Sequence, residues 1–282
     1  MRSILHPGAA QEPRVLALAC QARRLQVTFN PGTSVLSSVT EALAPLGIES
    51  AIVEIAGGPF EPLVYVMPAE SDDGVHAAWY SRTHAPSGRA TIEALAFTYG
   101  RRDGAPFLHC HGIWRHADGQ RRAGHLIPGE ASFAEPVEAT VIALSGATLD
   151  QLDDDETRFR LFTPVPHGES SSGQRAVLCR VKPNEEICAA VERTAKAHGI
   201  EHASLHGIGS LVGCDFTDGQ HMASIASELF IRRGSLRPVR GEPVAALDIA
   251  VVDIGGRIFE GEIERGRNTV CVTFELAIVE EA

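Results

Sequence analysis

Residues 106–129, with the sequence PFLHCHGIWRHADGQRRAGHLIPG, are the stretch on which the predicted fold depends. They predict two strands joined by a tight loop. His109 and His111 are two residues apart, so on an extended strand they project from one face, with Cys110 on the other. Ala117-Asp118-Gly119 suits a three-residue hairpin loop, because its final glycine can adopt the left-handed conformation that such a loop requires.

The length of this loop decides whether the histidines meet. A three-residue loop places His125 directly opposite His111, with His109 one step along the same face. A two-residue Asp118-Gly119 loop is the alternative, and its one-residue slip turns His125 to the other face. Three converging imidazoles suit Zn²⁺ best and other borderline divalent metals next. We therefore predict a metal site at His109, His111 and His125; the alternative is a His-rich surface hairpin in a chain with 12 histidines.

Further out, the chain repeats its own pattern. Residues 25–58 predict a strand, an Asn-Pro-Gly turn, an amphipathic helix ending at Gly47 and a second strand. The same pattern returns after 178 with a constant offset of 152 residues. At that offset Pro183, Gly199, Ile200, Glu201, Ala203 and Gly209 follow Pro31, Gly47, Ile48, Glu49, Ala51 and Gly57. The chain is therefore predicted to be a tandem duplication.

The histidine hairpin also has a predicted counterpart in the second copy. Gly129 and Glu138 match Gly266 and Glu275 at an offset of 137, while the strand of residues 107–111 is matched to residues 246–250 at an offset of 139. These offsets give three correspondences: His125 with Glu262, His109 with Asp248, and His111 with Ala250. Since the second copy keeps the fold pattern without the histidines, we infer that they have a role separate from folding.

Composition limits the function classes. The net charge of −11 repels phosphate backbones, which argues against nucleic-acid binding. Six cysteines without a CxxC pair indicate a reducing cytoplasm. Leu16–Cys20 faintly resembles a lipoprotein cleavage site, but its apolar run is too short for a signal peptide, and no stretch is long enough to span a membrane. A cytoplasmic protein without membrane contact is expected.

The motifs resemble those of a known family. His109-Cys110-His111 followed by Ala123-Gly124-His125-Leu126 is similar to the HLH…GGHL pattern of the PPC ("plants and prokaryotes conserved") domain, with Ala123 where a glycine is usual. The resemblance extends over both copies. It divides the chain into an N-terminal tail (1–13), a first domain (14–165), a linker (166–173) and a second domain with a degenerate site (174–282).

The resemblance implies a fold and a ligand. The fold is α+β, with each domain a mostly antiparallel β-sheet carrying a packed α-helix, and such domains commonly assemble as trimers, so a homotrimer or related oligomer is expected. Prokaryotic members can hold a metal, usually zinc, on three histidines, which here are His109, His111 and His125. In plants the domain follows a DNA-binding AT-hook, and this sequence has no Arg-Gly-Arg-Pro hook.

Two functions follow as hypotheses. The first is a metal-dependent enzyme or binder of a small molecule, with Glu93 or Glu138 as a nearby carboxylate; no catalytic residue is assigned. The second copy keeps Glu228 and Glu275 in similar places although it lacks the histidines, which favours a structural role for Glu93 and Glu138. The second hypothesis is an oligomeric regulatory or scaffold module with a structural metal.

Two further features bear on the pocket. Arg122 and Trp114 are pocket candidates because they lie near the histidines in the sequence. Residues 67–89 form an irregular segment that is longer than its counterpart in the second copy. Such a segment can serve as a pocket wall or lid, or can be a tolerated surface insertion.

Overall fold

The computed structural model describes residues 2–281, which form a mainly antiparallel β-structure with two α-helices. The helices are α1 (Val35–Leu43), followed by a 3₁₀ turn (Ala44–Leu46), and α2 (Ile187–Ala197). Within the described residues, neither α1 nor α2 is long and apolar enough to cross a membrane. Each copy has one sheet region and one packed helix, as predicted for the α+β class.

Strands account for most of both copies. Those of the first copy are β1 (Val15–Phe29), β2 (Ala51–Ile55), β3 (Pro59–Phe60), β4 (Tyr65–Val66), β5 (Pro68–Ala69), β6 (Trp79–Tyr80), β7 (Ala90–Arg102), β8 (Ala105–Arg115), β9 (Arg121–Leu126), β10 (Val137–Asp153) and β11 (Arg160–His167). Those of the second copy are β12 (Gln174–Val181), β13 (Ala203–Leu211), β14 (Cys214–Asp215), β15 (His221–Met222), β16 (Ser227–Val239), β17 (Glu242–Asp253), β18 (Ile258–Glu262) and β19 (Val270–Glu280).

Helix α1 is defined by local signals in the sequence. Ser34 caps its first turn by accepting from the amide of Ser37 at 3.1 Å, and the Ser37 hydroxyl accepts from the Ser34 amide in return. Val35 and Val39 are fully buried on one face. Gly47 follows the 3₁₀ turn at φ +66°, a left-handed conformation that ends the helical segment.

The two copies have the same strand order, as a duplication requires. The first runs β1-β10-β2-β7-β8-β9 and the second β12-β19-β13-β16-β17-β18. Strand β1 joins them, because Val15–Ala22 pairs with β12 while Gln21–Phe29 pairs with β10. The result is one continuous sheet of 15 strands.

The two halves of this sheet face each other, so the molecule has four layers: α1, two sheet halves, and α2. Each helix covers a core on the outer face of its own half. The inner faces share further apolar clusters, in which Ala96 and Ile113 of the first copy pack with Ile208 and Phe230 of the second. Side chains on the inner faces therefore meet residues of the other copy.

The N-terminal segment is bound to the second copy. The Ile4 amide donates to Asn184 Oδ1 at 2.8 Å, and Asn184 Nδ2 donates back to the Ile4 carbonyl at 2.9 Å. His6 Nε2 lies 2.8 Å from the Cys271 carbonyl. Residues 4–6 therefore lie beside the start of β19 and the loop that precedes α2.

The strand register corrects one of the predicted correspondences. His111 pairs with His125 in the first copy, and Asp248 pairs with Glu262 in the second. The offset of 137 therefore holds for both strands, so that His111 corresponds to Asp248, His125 to Glu262 and His109 to Ala246. The predicted offset of 139 for the first strand is wrong. A shift of two residues leaves every side chain on the same face, so hydrophobic alternation could not reveal the error.

Candidate metal centre

The hairpin forms with the register that brings the histidines together. The Gly119 amide donates to the His116 carbonyl at 2.9 Å, the His116 amide donates to Gln120 at 2.9 Å, and Gly119 has φ +84°. The loop is therefore the three-residue Ala117–Gly119, and His111 pairs directly with His125. The two-residue alternative is not the one adopted.

The histidines lie on the inner face of the first sheet half, between the copies. Cys110 points the other way and is fully buried in the core beneath α1, as strand alternation predicts. His109 Nε2 and His111 Nε2 are 3.0 Å apart. One ligand atom from each histidine and one from Glu228 all lie within 4.8 Å of one another. Glu228 Oε2 is in direct contact with His111 Nε2.

The second copy orients the two histidines of β8. His109 Nδ1 lies 3.1 Å from both carboxylate oxygens of Glu275, which also accepts from Thr98 Oγ1 at 2.8 Å. His111 Nδ1 lies 2.8 Å from the carbonyl oxygen of Leu229. Since a carbonyl oxygen only accepts, His111 carries its proton on Nδ1. In both rings Nε2 is left facing the cluster, as in metal-binding histidines held by outer acceptors.

The third histidine is held in a more apolar environment. His125 Nδ1 is buried and has no hydrogen-bond partner within residues 2–281. The Tyr80 ring packs edge-on against it with centroids 5.1 Å apart. Burial, followed by the nearby charges that His109 and His111 can carry, holds the pKa of His125 well below its usual range. His125 is therefore neutral at pH 7 and able to donate a lone pair.

The charges of the cluster match those needed by a divalent cation. Burial disfavours the charged form of His109, but the charge of Glu275, its hydrogen bond and the charge of Glu228 outweigh this and raise the pKa of His109. Glu275 is 1% exposed, and no arginine or lysine within residues 2–281 pairs with Glu228 or Glu275. Three imidazoles with two carboxylates, one buried (Glu275) and one partly buried (Glu228), neither paired with an arginine or lysine, fit a dication, and Zn²⁺ accepts this donor set.

The two candidate carboxylates named from the sequence, Glu93 and Glu138, lie away from the histidines, in agreement with the structural role that the sequence favoured for them. Glu93 is bound by Arg115 and Arg121, each at 2.6 Å, and Glu138 accepts from Thr28 at 2.6 Å, so neither joins the histidines. The carboxylates at the cluster are Glu228 and Glu275, which entered the sequence analysis only as the counterparts of Glu93 and Glu138 in the second copy. Both residues belong to the second copy and lie more than 100 residues after the histidines in the sequence. A local sequence pattern does not show which strands of the two copies will face each other.

The two other pocket candidates also lie elsewhere. Trp114 is fully buried in the core of the first copy, edge-on to Phe60 and Tyr65. The Arg122 guanidinium contacts Gln120 and the Arg121 carbonyl beside the hairpin loop. Proximity in the sequence was misleading because alternate residues of a strand point to opposite faces.

A small cavity of about 50 Å³ opens beside His109, His111 and Glu228. Trp79 and Tyr80, from the long segment of residues 67–89, form part of its wall. The offset between the two copies is 152 before this segment and 137 after it, so the first copy has 15 more residues here. The expectation that it forms a pocket wall is confirmed.

Up to Glu281, the last residue that the structure describes, the second copy has no matching cluster. Asp248, at the position of His111, accepts from Arg232 Nε at 2.8 Å and Arg233 Nη2 at 2.6 Å. Glu262, at the position of His125, is exposed. Among the described residues, the cluster of His109, His111, His125 and Glu228 is the one group whose side chains converge with metal-ligand spacing.

Fold and register together define a tandem duplication of an antiparallel α+β domain with its candidate site between the copies. The chain belongs to the Plants and Prokaryotes Conserved (PCC) domain family, whose profile matches residues 19–145 and 168–282. This confirms the resemblance and the two tandem copies. A comparison with curated proteins found no match.

Solved structures of this fold are similar to about half of the chain. A plant- and prokaryote-conserved protein from Pyrococcus horikoshii is 18% identical, covers 53% of this chain and 97% of its own, and has a TM-score of 0.42. A metal-containing protein from Archaeoglobus fulgidus is 19% identical, covers 57% and 99%, and has a TM-score of 0.35. A hypothetical protein from Salmonella enterica is 16% identical, covers 52% and 96%, and has a TM-score of 0.38.

Proposed function

We propose that this protein binds a divalent metal, with zinc the best fit, at His109, His111 and His125, and uses it to act on a small molecule. The observation that carries the proposal is the convergence of these three side chains with Glu228 within 4.8 Å. The fixed Nδ1 atoms of His109 and His111 support it, because a ring held by an outer acceptor presents one defined nitrogen.

The three histidines, Glu228 and Glu275 have different roles in this proposal. Zinc, when bound, supplies a Lewis acid that lowers the pKa of a coordinated water to about 7 or polarises a carbonyl. The three imidazoles hold it, and the Glu228 carboxylate, which lines the cavity, would accept a proton from a water molecule there. Glu275 keeps His109 oriented through Nδ1.

The primary test is metal content. We expect the purified protein to contain about one zinc per chain by elemental analysis, with an anomalous signal between the three histidines. His109→Ala should lose the metal, while His202→Ala, which alters an exposed histidine remote from the site, should keep it. A protein that binds no divalent metal after incubation with Zn²⁺, Co²⁺ or Mn²⁺ would refute the proposal.

The division of the ligands between the copies favours a second candidate, a structural metal. Three ligands come from the first copy and Glu228 from the second, so a bound ion would cross-link the two sheet halves. In this case the protein is an assembly module, and the expected homotrimer is part of its function. Chelation would then loosen the packing of the two sheet halves, which should lower the melting temperature strongly and, if the assembly depends on that packing, also the mass on size exclusion. For the first function the mass should stay unchanged.

A further inference from the structure

The cavity beside the histidines has a chemical character of its own. Its wall is mainly apolar, with Trp79 and Phe159 stacked at 5.3 Å between ring centroids and Leu161 beside them. Trp79 is 39% exposed, so it lies at the mouth of the cavity. Within residues 2–281, no lysine or arginine lines this cavity.

These features exclude a charged anion as the preferred ligand. Glu228 lines the cavity and Glu275 lies directly behind His109, so a divalent metal at the histidines would already be neutralised by two carboxylates. An anion entering this apolar space would bring a third negative charge without a cationic side chain to receive it, which is costly in a site shielded from water. A neutral ligand meets no such penalty.

One hydroxyl in the wall lacks a partner. Thr273 is 4% exposed, and its Oγ1 makes no hydrogen bond among the described residues. It lies two residues before Glu275 on β19, so it projects from the same inner face toward the histidines. The two serine hydroxyls of the cavity are occupied, since Ser227 donates to the Leu211 carbonyl and Ser210 accepts from the Val272 amide. A buried hydroxyl without a partner is costly unless something supplies one.

We propose that this site takes a small uncharged carbonyl compound, such as a short amide or ester, and that Thr273 donates to its oxygen while its apolar part lies against Trp79. The inference rests on the proposed metal function. The size of the cavity, about 50 Å³, limits the ligand to roughly three to five water-sized groups unless the 67–89 segment moves.

The test compares propionamide with propionate, which have the same shape and differ in charge. Both are titrated into the Co²⁺-loaded protein, and binding is followed by the visible spectrum of the metal. We expect propionamide to bind more tightly than propionate by about tenfold. Thr273→Val should weaken propionamide binding by about fivefold without changing Co²⁺ content, and Thr217→Val, at an exposed site in the second copy, should change neither.

The outcomes separate the two proposals. If Co²⁺ binds but propionate is held as tightly as propionamide, or Thr273→Val has no effect, the ligand class is wrong and the metal function stands. If no Co²⁺ binds, both proposals fall. Should Thr273→Val reduce Co²⁺ content, Thr273→Ser, which restores the hydroxyl, must recover both metal and propionamide binding; its failure to do so would overturn the role of Thr273.

Discussion

Glu275→Gln is the most informative single change, because it acts on metal affinity through His109 without removing a metal ligand. The wild-type carboxylate accepts from Thr98 and His109 and is 1% exposed. Glutamine has the same shape, and its carbonyl oxygen can still accept from Nδ1, but the charge is lost. Loss of such outer partners typically weakens metal binding by about 10–100-fold, or about 1.4–2.7 kcal/mol. We expect the lower end, since one acceptor remains.

The assay is a Zn²⁺ titration against a chromophoric chelator, paired with urea unfolding of the metal-free protein. Glu275 is buried and pairs with no arginine or lysine among residues 2–281, so above the pKa of His109 its removal should leave metal-free stability unchanged or higher, while the metal affinity falls. Glu138→Gln is the matched control, because Glu138 is the equivalent residue of the first copy and accepts a hydrogen bond from Thr28 rather than from a histidine of the cluster. The reasoning would be refuted if Glu275→Gln bound Zn²⁺ as tightly as the wild type. It would also be refuted if Glu275→Gln and Glu138→Gln lost the same amount of Zn²⁺ affinity.

Three further changes test the frame around the site. Burial lowers the pKa of His6, so folding favours its neutral form, and the stability of the folded N-terminal segment is full above about pH 6.5 and falls below it. Hydrogen-exchange protection of residues 2–14 should therefore be lower at pH 5.5 than at pH 7.5, and this difference should be smaller in His6→Gln; an equal difference in both proteins would contradict it. Arg180→Met removes the buried partner of Asp154, which lies at 2.6 Å, and should lower the free energy of unfolding in urea by about 3–5 kcal/mol. A decrease below about 1 kcal/mol would contradict this. Gly124→Ala puts a Cβ 2.3 Å from the Val66 carbonyl and should cost about 1–3 kcal/mol; an unchanged melting temperature would contradict it.

The features predicted correctly from the sequence are those set by local rules. The Asp118-Gly119 loop and strand alternation were enough to define a register that joins His111 to His125, with the two-residue loop as the one alternative. Helix α1 was predicted from its period and from Gly47. The duplication was found because an offset of 152 repeats turn and cap residues whose backbone requirements are strict.

The features missed are those set by the meeting of distant surfaces. Glu228 and Glu275 reach the histidines only because the inner faces of the two sheet halves pack together. No spacing within one copy encodes that contact. The false match of His109 to Asp248 has a related cause, since a period of two cannot distinguish a register from one shifted by two residues.

A cluster divided between two copies on a single chain has a consequence for its assembly. In a site shared by separate subunits, the last ligand arrives by a bimolecular encounter, and dilution empties the site. Here Glu228 is tethered to the histidines through the chain, and β1 holds both copies in one sheet. The effective concentration of the fourth side chain is therefore fixed by the fold rather than by expression level. Gene duplication in this case converts a concentration-dependent meeting of surfaces into an intramolecular one.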